Sequence, residues 1–235
     1  MKNQGAKNQS ENYHVWVIIA AYNEAGTLAR VISNVESYGF RAAVVDDGSK
    51  DATYRIALAN GAVAIRHPVN LGQGAALQTG IAYALTRGAQ AIVTFDADGQ
   101  HRGSDIEVLL AALKRENADF ALGSRFLGRS LRMPVTRFLL LRLATLFTRL
   151  TTGLRLTDTH NGLRAMTRKG AQAIRLRQNR MAHASEILSQ IADSGLRYVE
   201  VPVTIEYTAY SLAKGQRIGD SLTILSDLIT EKLYR

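Results

Sequence analysis

The chain has 235 residues, with 29 Lys and Arg against 20 Asp and Glu, no cysteine and a formal charge of +9. That length allows one large domain or two small ones, and 46% apolar with 21% charged residues is the composition of a globular protein, not a disordered one. The lack of cysteine excludes a disulfide scaffold, a Cys-ligated zinc or iron–sulfur site and a thiol nucleophile.

The polar stretch Met1–Asn12 lacks the apolar core of a signal peptide and reads as a disordered leader. Val15–Ala21 is a near-continuous apolar run, the pattern of a strand buried on both faces. It opens an alternation. A helix is predicted over Glu24–Tyr38, with Leu28, Val31, Ile32 and Val35 on one face. Strand Arg41–Val45, helix Asp51–Asn60, strand Ala62–Ile65, helix Gly74–Arg87, strand Ala89–Phe95, helix Ser104–Arg115 and strand Asp119–Leu122 follow. Five strands alternating with four helices predict an α/β fold with a doubly wound, mostly parallel sheet. In such sheets ligands bind beyond the carboxyl ends of the strands, so the loops after Ala21, Val45, Ile65, Phe95 and Leu122 are the ones that matter.

The second half is less regular. A helix is predicted from Pro134 to Leu150, then a loop over Asp158–Thr167 leading into a short strand, a helix over Ser185–Asp193, a strand over Leu196–Val203 ending at Pro202, and an amphipathic helix over Ser221–Leu233. The longest apolar run, Val15–Tyr22, is eight residues, far below the ~20 that span a bilayer, so no transmembrane helix is expected.

The charge is unevenly spread. From Arg125 to Arg180 there are 13 basic residues and one acid, Asp158, a local charge of +12; the rest of the chain carries 16 basic and 19 acidic residues, or −3. A regional excess of this kind suits nucleic acid, an anionic membrane surface or a phosphorylated substrate. Nucleic acid is the weakest of the three, because there is no zinc motif, no RNP signature and no basic strand interleaved with aromatics. The helix Pro134–Leu150 carries Arg137, Arg142 and Arg149 on one side and Val135, Leu139, Leu143, Leu146 and Leu150 on the other. Two readings stay open: a core-facing helix with a solvated basic face, or an interfacial helix resting on anionic lipid headgroups.

Two acidic clusters fall at predicted strand ends. One is Asp46-Asp47-Gly48-Ser49-Lys50-Asp51, the other Asp96-Ala97-Asp98-Gly99-Gln100-His101. Ser49 and Asp51 also suit a turn or a helix cap. Asp96 and Asp98, two apart beside a glycine, can aim hard oxygen ligands at one point, which suits Mg2+ or Mn2+ bound together with substrate phosphates. Gly72-x-Gly74 is not a dinucleotide fingerprint, since Leu77 stands where the third small residue belongs and the segment follows the third strand, not the first.

Val17-Ile-Ile-Ala-Ala-Tyr-Asn-Glu24, Val45-Asp-Asp-Gly-Ser49, Asn70-Leu-Gly72 and Asp96-Ala-Asp-Gly-Gln100 together resemble an inverting family 2 glycosyltransferase of GT-A fold. Within that family the chain is most similar to the dolichyl- or polyprenyl-phosphate sugar synthases, and the match runs from about Val15 to Tyr210. The resemblance implies a nucleotide-sugar donor, UDP- or GDP-linked, bound across residues 13–124, and an acceptor side over 125–215, with 216–235 as a terminal helix. Tyr22 and Glu24 would contact the nucleotide and Asp46 the base, with Ala20 and Asp47 in the same donor-binding set. Asp96 and Ala97 would lie near ribose and diphosphate; Asp98 and Gln100, helped by Asp96, would hold the Mg2+ or Mn2+ ion. Glu24 also suits a helix start, where the macrodipole favours an acid.

On the acceptor side the resemblance implies that Arg125 meets the phosphate of a polyprenyl phosphate. Asp158-Thr-His-Asn-Gly-Leu-Arg164 is similar to the family's acceptor loop, in which Arg164 either pairs with Asp158 or serves a phosphate, and His160 and His183 read as structural. Lys214 would sit on a loop closing over the donor diphosphate. Asp98, Arg125 and Glu186 are the implied catalytic set. Glu186 is the only nearby acid able to act as base for a saccharide hydroxyl acceptor, and a phosphate acceptor needs none; a structural place on its helix is the other reading. A non-catalytic nucleotide-sugar-binding module remains a third possibility. The implied setting is the cytoplasmic inner face of a membrane, alone or with a small membrane-protein partner, in cell-envelope glycan or glycoprotein assembly. Ala20 stands where many relatives have proline.

Overall fold

The computed structural model describes residues 14–178, 183–208 and 210. The expected leader over residues 1–12, Lys214 and the expected helix within 216–235 lie outside the described residues. In chain order the elements are β1 (Val15–Ala21), α1 (Leu28–Glu36), β2 (Arg41–Asp46), α2 (Thr53–Ala59), β3 (Val63–Arg66), α3 (Gln73–Thr86) and β4 (Ala91–Asp96). Then follow α4 (Ser104–Arg115), β5 (Phe120–Leu131), α5 (Val135–Thr152), β6 (Arg164–Thr167), α6 (Arg168–Ala173), α7 (His183–Ser194) and β7 (Tyr198–Glu206).

The strands form one seven-stranded sheet in the order β3-β2-β1-β4-β6-β5-β7. All neighbours are parallel except β6, which runs antiparallel between β4 and β5. The central strand shows why the apolar run was legible. Val17 and Ile19 pack with Leu28, Ile32, Ile106 and Leu109 on the face covered by α1 and α4. Trp16 and Ile18 pack with Leu77, Ile81, Ile187 and Ile191 on the face covered by α3 and α7. Helices on both faces leave no polar side for the strand to alternate with.

Several boundaries differ from the sequence expectation. α1 starts at Leu28, because Thr27 N–H and Leu28 N–H close a turn on the Glu24 carbonyl first. β5 does not stop at Leu122: after an irregularity between Ser124 and Arg129 it pairs again with β7 as far as Leu131. Pro202 sits inside β7 and does not end it. Among the described residues β7 pairs only with β5, so proline's missing N–H can face the open edge.

α5 overturns one of its two readings. Its apolar side faces outward, with Leu143 63% and Leu150 76% exposed, while Thr145 and Thr148 are buried. The polar side turns to the protein because the protein offers it partners. Arg149 Nε donates to the Leu156 carbonyl at 2.5 Å. The Arg142 guanidinium lies 4.4 Å from the Phe126 ring centroid, and that of Arg137 lies 5.1 Å from the Tyr207 ring. The helix is therefore not core-facing through its leucines, although Arg142 and Arg149 remain exposed. Among the described residues no helix is long and apolar enough to cross a membrane.

Gly80 shows how closely α3 lies on the sheet: a Cβ there would come within 2.2 Å of Ile18 Cγ2 and 3.3 Å of Val45 Cγ2. Both neighbours are fully buried and β-branched, so neither can step aside by a rotamer change. Gly80→Val is expected to cost about 1–3 kcal/mol by overpacking, read as a lower urea midpoint at unchanged slope. An unchanged midpoint would mean that the helix can back away from β1 without loss.

Candidate active site

The loops at the carboxyl ends of β1, β2 and β4 hold one another. Asn23 adopts a left-handed conformation, φ 53°, which asparagine tolerates better than most residues. Its N–H donates to Ser49 Oγ at 2.8 Å and its Oδ1 accepts the Lys50 N–H at 2.9 Å. Asp51 Oδ1 accepts the Thr53 N–H at 2.9 Å and Oδ2 accepts the Ala25 N–H at 3.1 Å. Ser49 thus ties two loops together, and Asp51 both starts α2 and holds the turn before α1. Glu24, nearly buried, accepts from Thr27 Oγ1 at 3.1 Å and from the Tyr210 hydroxyl at 2.8 Å.

Asp46 and Asp47 part company. Asp46 is fully buried and faces away from the cleft, 3.2 Å from Arg66 Nε, accepting the Ser49 N–H at 3.1 Å. It is not among the residues that line the cleft. Asp47 does border the cleft, but as an anchor. It accepts the Leu71 N–H at 2.9 Å and the Gly72 N–H at 2.7 Å, and lies 2.7 Å from His67 Nδ1. Asn70-Leu71-Gly72 is pinned to β2 by that carboxylate, and Gly72, at φ 97°, turns the chain into α3.

The third strand end carries the paired acids. Asp96 Oδ2 lies 2.9 Å from His101 Nε2, and Asp98 Oδ1 accepts the Gln100 N–H at 3.0 Å. Gly99, at φ 75°, turns the chain just after Asp98. Burial alone would raise Asp96, but the hydrogen bond and charge of His101, with the charges of His183 and Arg164, hold it below the usual carboxylate range. Burial and the neighbouring Asp96 charge push Asp98 up to about 6. A carboxyl raised in this way marks a site short of positive charge. Among the described residues no cluster of three or more His, Cys, Asp or Glu is arranged to hold a metal by itself. The donor set is two carboxylates with the Gln100 side chain at the same rim, which fits a Mg2+-type ion that completes its shell with substrate phosphates.

Opposite lies a cationic wall. Arg125 is buried on β5. Its Nε donates to Asp158 at 2.6 Å, Nη1 to the Tyr207 hydroxyl at 2.7 Å, and Nη2 to the His160 carbonyl at 2.6 Å. Asp158 therefore pairs with Arg125 and not with Arg164. Arg164 has no ion pair among the described residues; its Nη2 reaches the Thr159 carbonyl at 3.4 Å, and burial pulls it down to about 10. Loop 158–163 reaches the donor side through Gly162, where a Cβ would lie 2.3 Å from Asp96 Oδ2.

These walls enclose a cleft of about 440 Å³. The expected residues Ala20, Tyr22, Glu24, Asp47, Asp96, Ala97, Asp98, Gln100 and Arg125 all border it. Glu186 does not. Its carboxylate accepts the N–H groups of Arg177 at 3.0 Å and Gln178 at 2.9 Å, and the Gln190 amide at 3.2 Å, in a separate groove beside Arg175. Three donors hold it in that groove, apart from the residues that border the cleft. His101, Arg137, Asn161 and His183 also line the cleft, and none stood out as a site residue in the sequence. Arg137 was visible only as one member of a basic helix face. His101 stood inside the second acidic cluster, and only the fold shows it bonded to Asp96.

The sequence matches Glycosyl transferase family 2 over residues 16–175. It is 32% identical to the UDP-N-acetylglucosamine–dolichyl-phosphate N-acetylglucosaminyltransferase of Methanococcus voltae, covering 93% of this chain and 96% of that one. It is 31% identical to the polyprenol monophosphomannose synthase of Mycolicibacterium smegmatis, covering 88% and 82%. Among solved structures, glucosyl-3-phosphoglycerate synthase from Mycobacterium tuberculosis, in complex with Mn2+ and UDP-glucose, superposes with a TM-score of 0.72 at 20% identity, over 94% of this chain and 78% of that one. That likeness establishes the GT-A fold.

His160 offers a check on the cleft wall. Burial pulls its imidazole down to about 4, against the opposing pull of Asp158. The unfolded chain takes up a proton near pH 6.5 that the native state refuses. The stability this histidine contributes is therefore complete above pH 6.5 and lost as pH falls toward 4. Asp98, raised to about 6, has the opposite slope between about pH 4 and 6, so the comparison must be with a variant. The melting-temperature difference between wild type and His160→Gln is expected to shrink as pH falls from 6.5 to 4.5. A difference independent of pH would mean that His160 titrates like an exposed histidine.

Proposed function

The chain belongs to glycosyltransferase family 2, and on that premise we propose that it moves a hexose from a nucleotide-diphosphate sugar to a polyprenyl phosphate. The transfer inverts the anomeric carbon, uses Mg2+ or Mn2+, and takes place at a membrane surface. Relatives at about 30% identity whose names carry a dolichyl-phosphate or polyprenol-phosphate product or acceptor support the acceptor class.

One observation carries the choice of acceptor. The cleft sets Glu24, Asp96 and Asp98 against Arg125, Arg137 and Arg164, and among the described residues its cationic wall is lined by no further acid. Asp158 is spent on Arg125, and Glu186 lies in another groove. A saccharide hydroxyl needs a base to take its proton, whereas a phosphate is already ionised at neutral pH. Three of the five Arg125 N–H groups are occupied by Asp158, Tyr207 and the His160 carbonyl, leaving one on each Nη for phosphate oxygens. The bonded neighbours hold the guanidinium in one orientation, so little freedom is lost when phosphate binds. Arg164, buried without an ion pair among the described residues, adds positive field from the floor.

On the donor side Tyr22, Glu24 and Ala97 face the nucleotide-sugar, and Ala20, small and in register with Asp96, leaves room for it. Asp47 acts at one remove by holding the Asn70–Gly72 loop in place. Asp96, Asp98 and Gln100 would hold the divalent ion, which supplies positive charge where the leaving diphosphate becomes more negative. His101 orients Asp96 for that task.

The exposed leucines of α5 are the surface by which the enzyme meets lipid. Leu139, Leu143, Leu146 and Leu150 form an apolar stripe on an 18-residue helix, with Arg129 and Arg132 exposed just before its start. A helix of this kind lies in the headgroup layer with its apolar face toward the acyl chains. Contact would then be made by leucines inserting, with the arginines at the flank.

Labelled UDP- and GDP-hexoses, offered with polyprenyl phosphate and Mn2+ or Mg2+, are expected to yield a glycolipid with one donor. Asp98→Asn should lower its kcat about 100-fold or more. No glycolipid with any donor would sink the reading. Replacing Leu143 and Leu146 with glutamate should cut sedimentation with phosphatidylcholine–phosphatidylglycerol vesicles by about tenfold or more. Unchanged sedimentation would assign the stripe to a protein partner instead, such as a small membrane protein.

A further inference from the structure

Asn161 is 3% exposed, borders the cleft, and has half of its side chain unaccounted for. Its Oδ1 accepts the Leu163 N–H at 3.0 Å. Only the oxygen can accept, so this bond fixes which end of the amide is which. Nδ2 then points the other way, and it is buried without a hydrogen-bond partner. Native proteins rarely leave a buried donor unpaired, and the exceptions call for a ligand or a specific function. The loop around it is rigidly held: Thr94 Oγ1 donates to the Gly162 carbonyl at 2.6 Å, and the Gly123 N–H donates to the Leu163 carbonyl at 3.0 Å. A held donor with nothing to bond is a preorganised contact.

We propose that Asn161 Nδ2 donates a hydrogen bond to a hydroxyl of the hexose being transferred and so helps determine which sugar is accepted. The inference rests on the function proposed above and adds the subsite for the sugar. Its neighbours locate it. On one side Gly162 lies against the Asp96 carboxylate, where the donor diphosphate is held. On the other the His160 carbonyl takes Arg125 Nη2 at 2.6 Å, where the acceptor phosphate arrives. In an in-line displacement the transferred sugar lies between the leaving and the attacking oxygens. Asn161 is flanked by these two positions. The chemistry agrees. The anions at either end are matched by charged groups, whereas a neutral amide suits a neutral hydroxyl. A site built to bond a hydroxyl also rejects a sugar that lacks it, because the buried donor is then left unpaired.

The test compares affinities for the nucleotide-sugar and for the matching nucleoside diphosphate, with Mn2+, in wild type, Asn161→Ser and Asn161→Asp. Both substitutions keep an oxygen that can accept the Leu163 N–H. The nucleotide-sugar is expected to lose its advantage over the nucleoside diphosphate by about tenfold in both. In Asn161→Ser the nucleoside diphosphate itself should bind within about twofold of wild type. An equal loss for both ligands would place the amide on the diphosphate, and no loss for either would leave it without a ligand contact; each overturns the proposal. A series of singly deoxygenated donor sugars on the wild-type enzyme tests it without any variant. One position should cost about tenfold or more in kcat/KM, and that cost should vanish in Asn161→Ser. Equal use of all the deoxy-sugars would also overturn it. If the wild type bound no nucleotide-sugar at all, the donor assignment itself would fall, which is a separate result.

Discussion

Gly162 against the Asp96 carboxylate is the contact on which the cleft depends. A side chain at 162 would meet the Asp96 oxygens at 2.3–2.4 Å, so glycine lets loop 158–163 close on the end of β4 without displacing that carboxylate. The antiparallel strand β6 makes that approach possible. Running opposite to its neighbours, it brings its first residue, Arg164, into register with Thr94 of β4 and Leu122 of β5. The loop before β6 therefore arrives at the same edge as the carboxyl ends of the parallel strands, and the donor and acceptor walls become one site. Asp96 feels this directly, since Arg164 is among the charges that keep it ionised despite burial.

The charge of the chain takes on a different meaning in three dimensions. Most of the +12 segment stays at the surface, with Arg129, Arg132, Arg142, Arg149, Arg155, Arg168, Lys169, Arg175 and Arg177 exposed, but part of it turns inward. Arg125 and Arg164 are buried in the cleft, and Arg137, Arg142 and Arg149 of α5 turn toward aromatic rings and a carbonyl. Arginine suits these places because its planar, weakly hydrated head can stack and make directional bonds at once. The arginine heads of α5 bond back to the protein while its leucines face outward. The exposed leucine stripe and the cleft-lining Arg137 lie on the same helix, so anything that moves α5 also moves Arg137 relative to the cleft.

Sequence reading was strongest where chemistry and local periodicity coincide. β1, buried on both faces, was an unbroken apolar run, and the acids at 46–51 and 96–98 stood at strand ends, where this class of sheet binds ligands. It was weakest for pairs distant along the chain. Neighbouring Asp46 and Asp47 look equivalent, yet successive residues at a strand end point to opposite faces. Only Asp47 borders the cleft, and it does so as an anchor for the loop at 70–72. Asp158 was weighed against Arg164, six residues on, but it bonds Arg125, 33 residues earlier, across β5. Glu186 was placed near the acceptor, but backbone N–H groups at 177 and 178 hold it in another groove.

The sequence by itself determined the fold class, the family, the strand-end acids and the side of the cleft that carries the cations. These follow from residue types at short spacing, which survive whatever the distant packing does. Tertiary structure alone decided which carboxylates face the cleft, which way α5 turns, which cation each acid takes as partner, and that Asn161 ends with a buried donor unpaired. Such outcomes depend on which polar groups find partners when the sheet closes. Burial makes an unpaired group costly, and the available partners come from segments tens of residues apart.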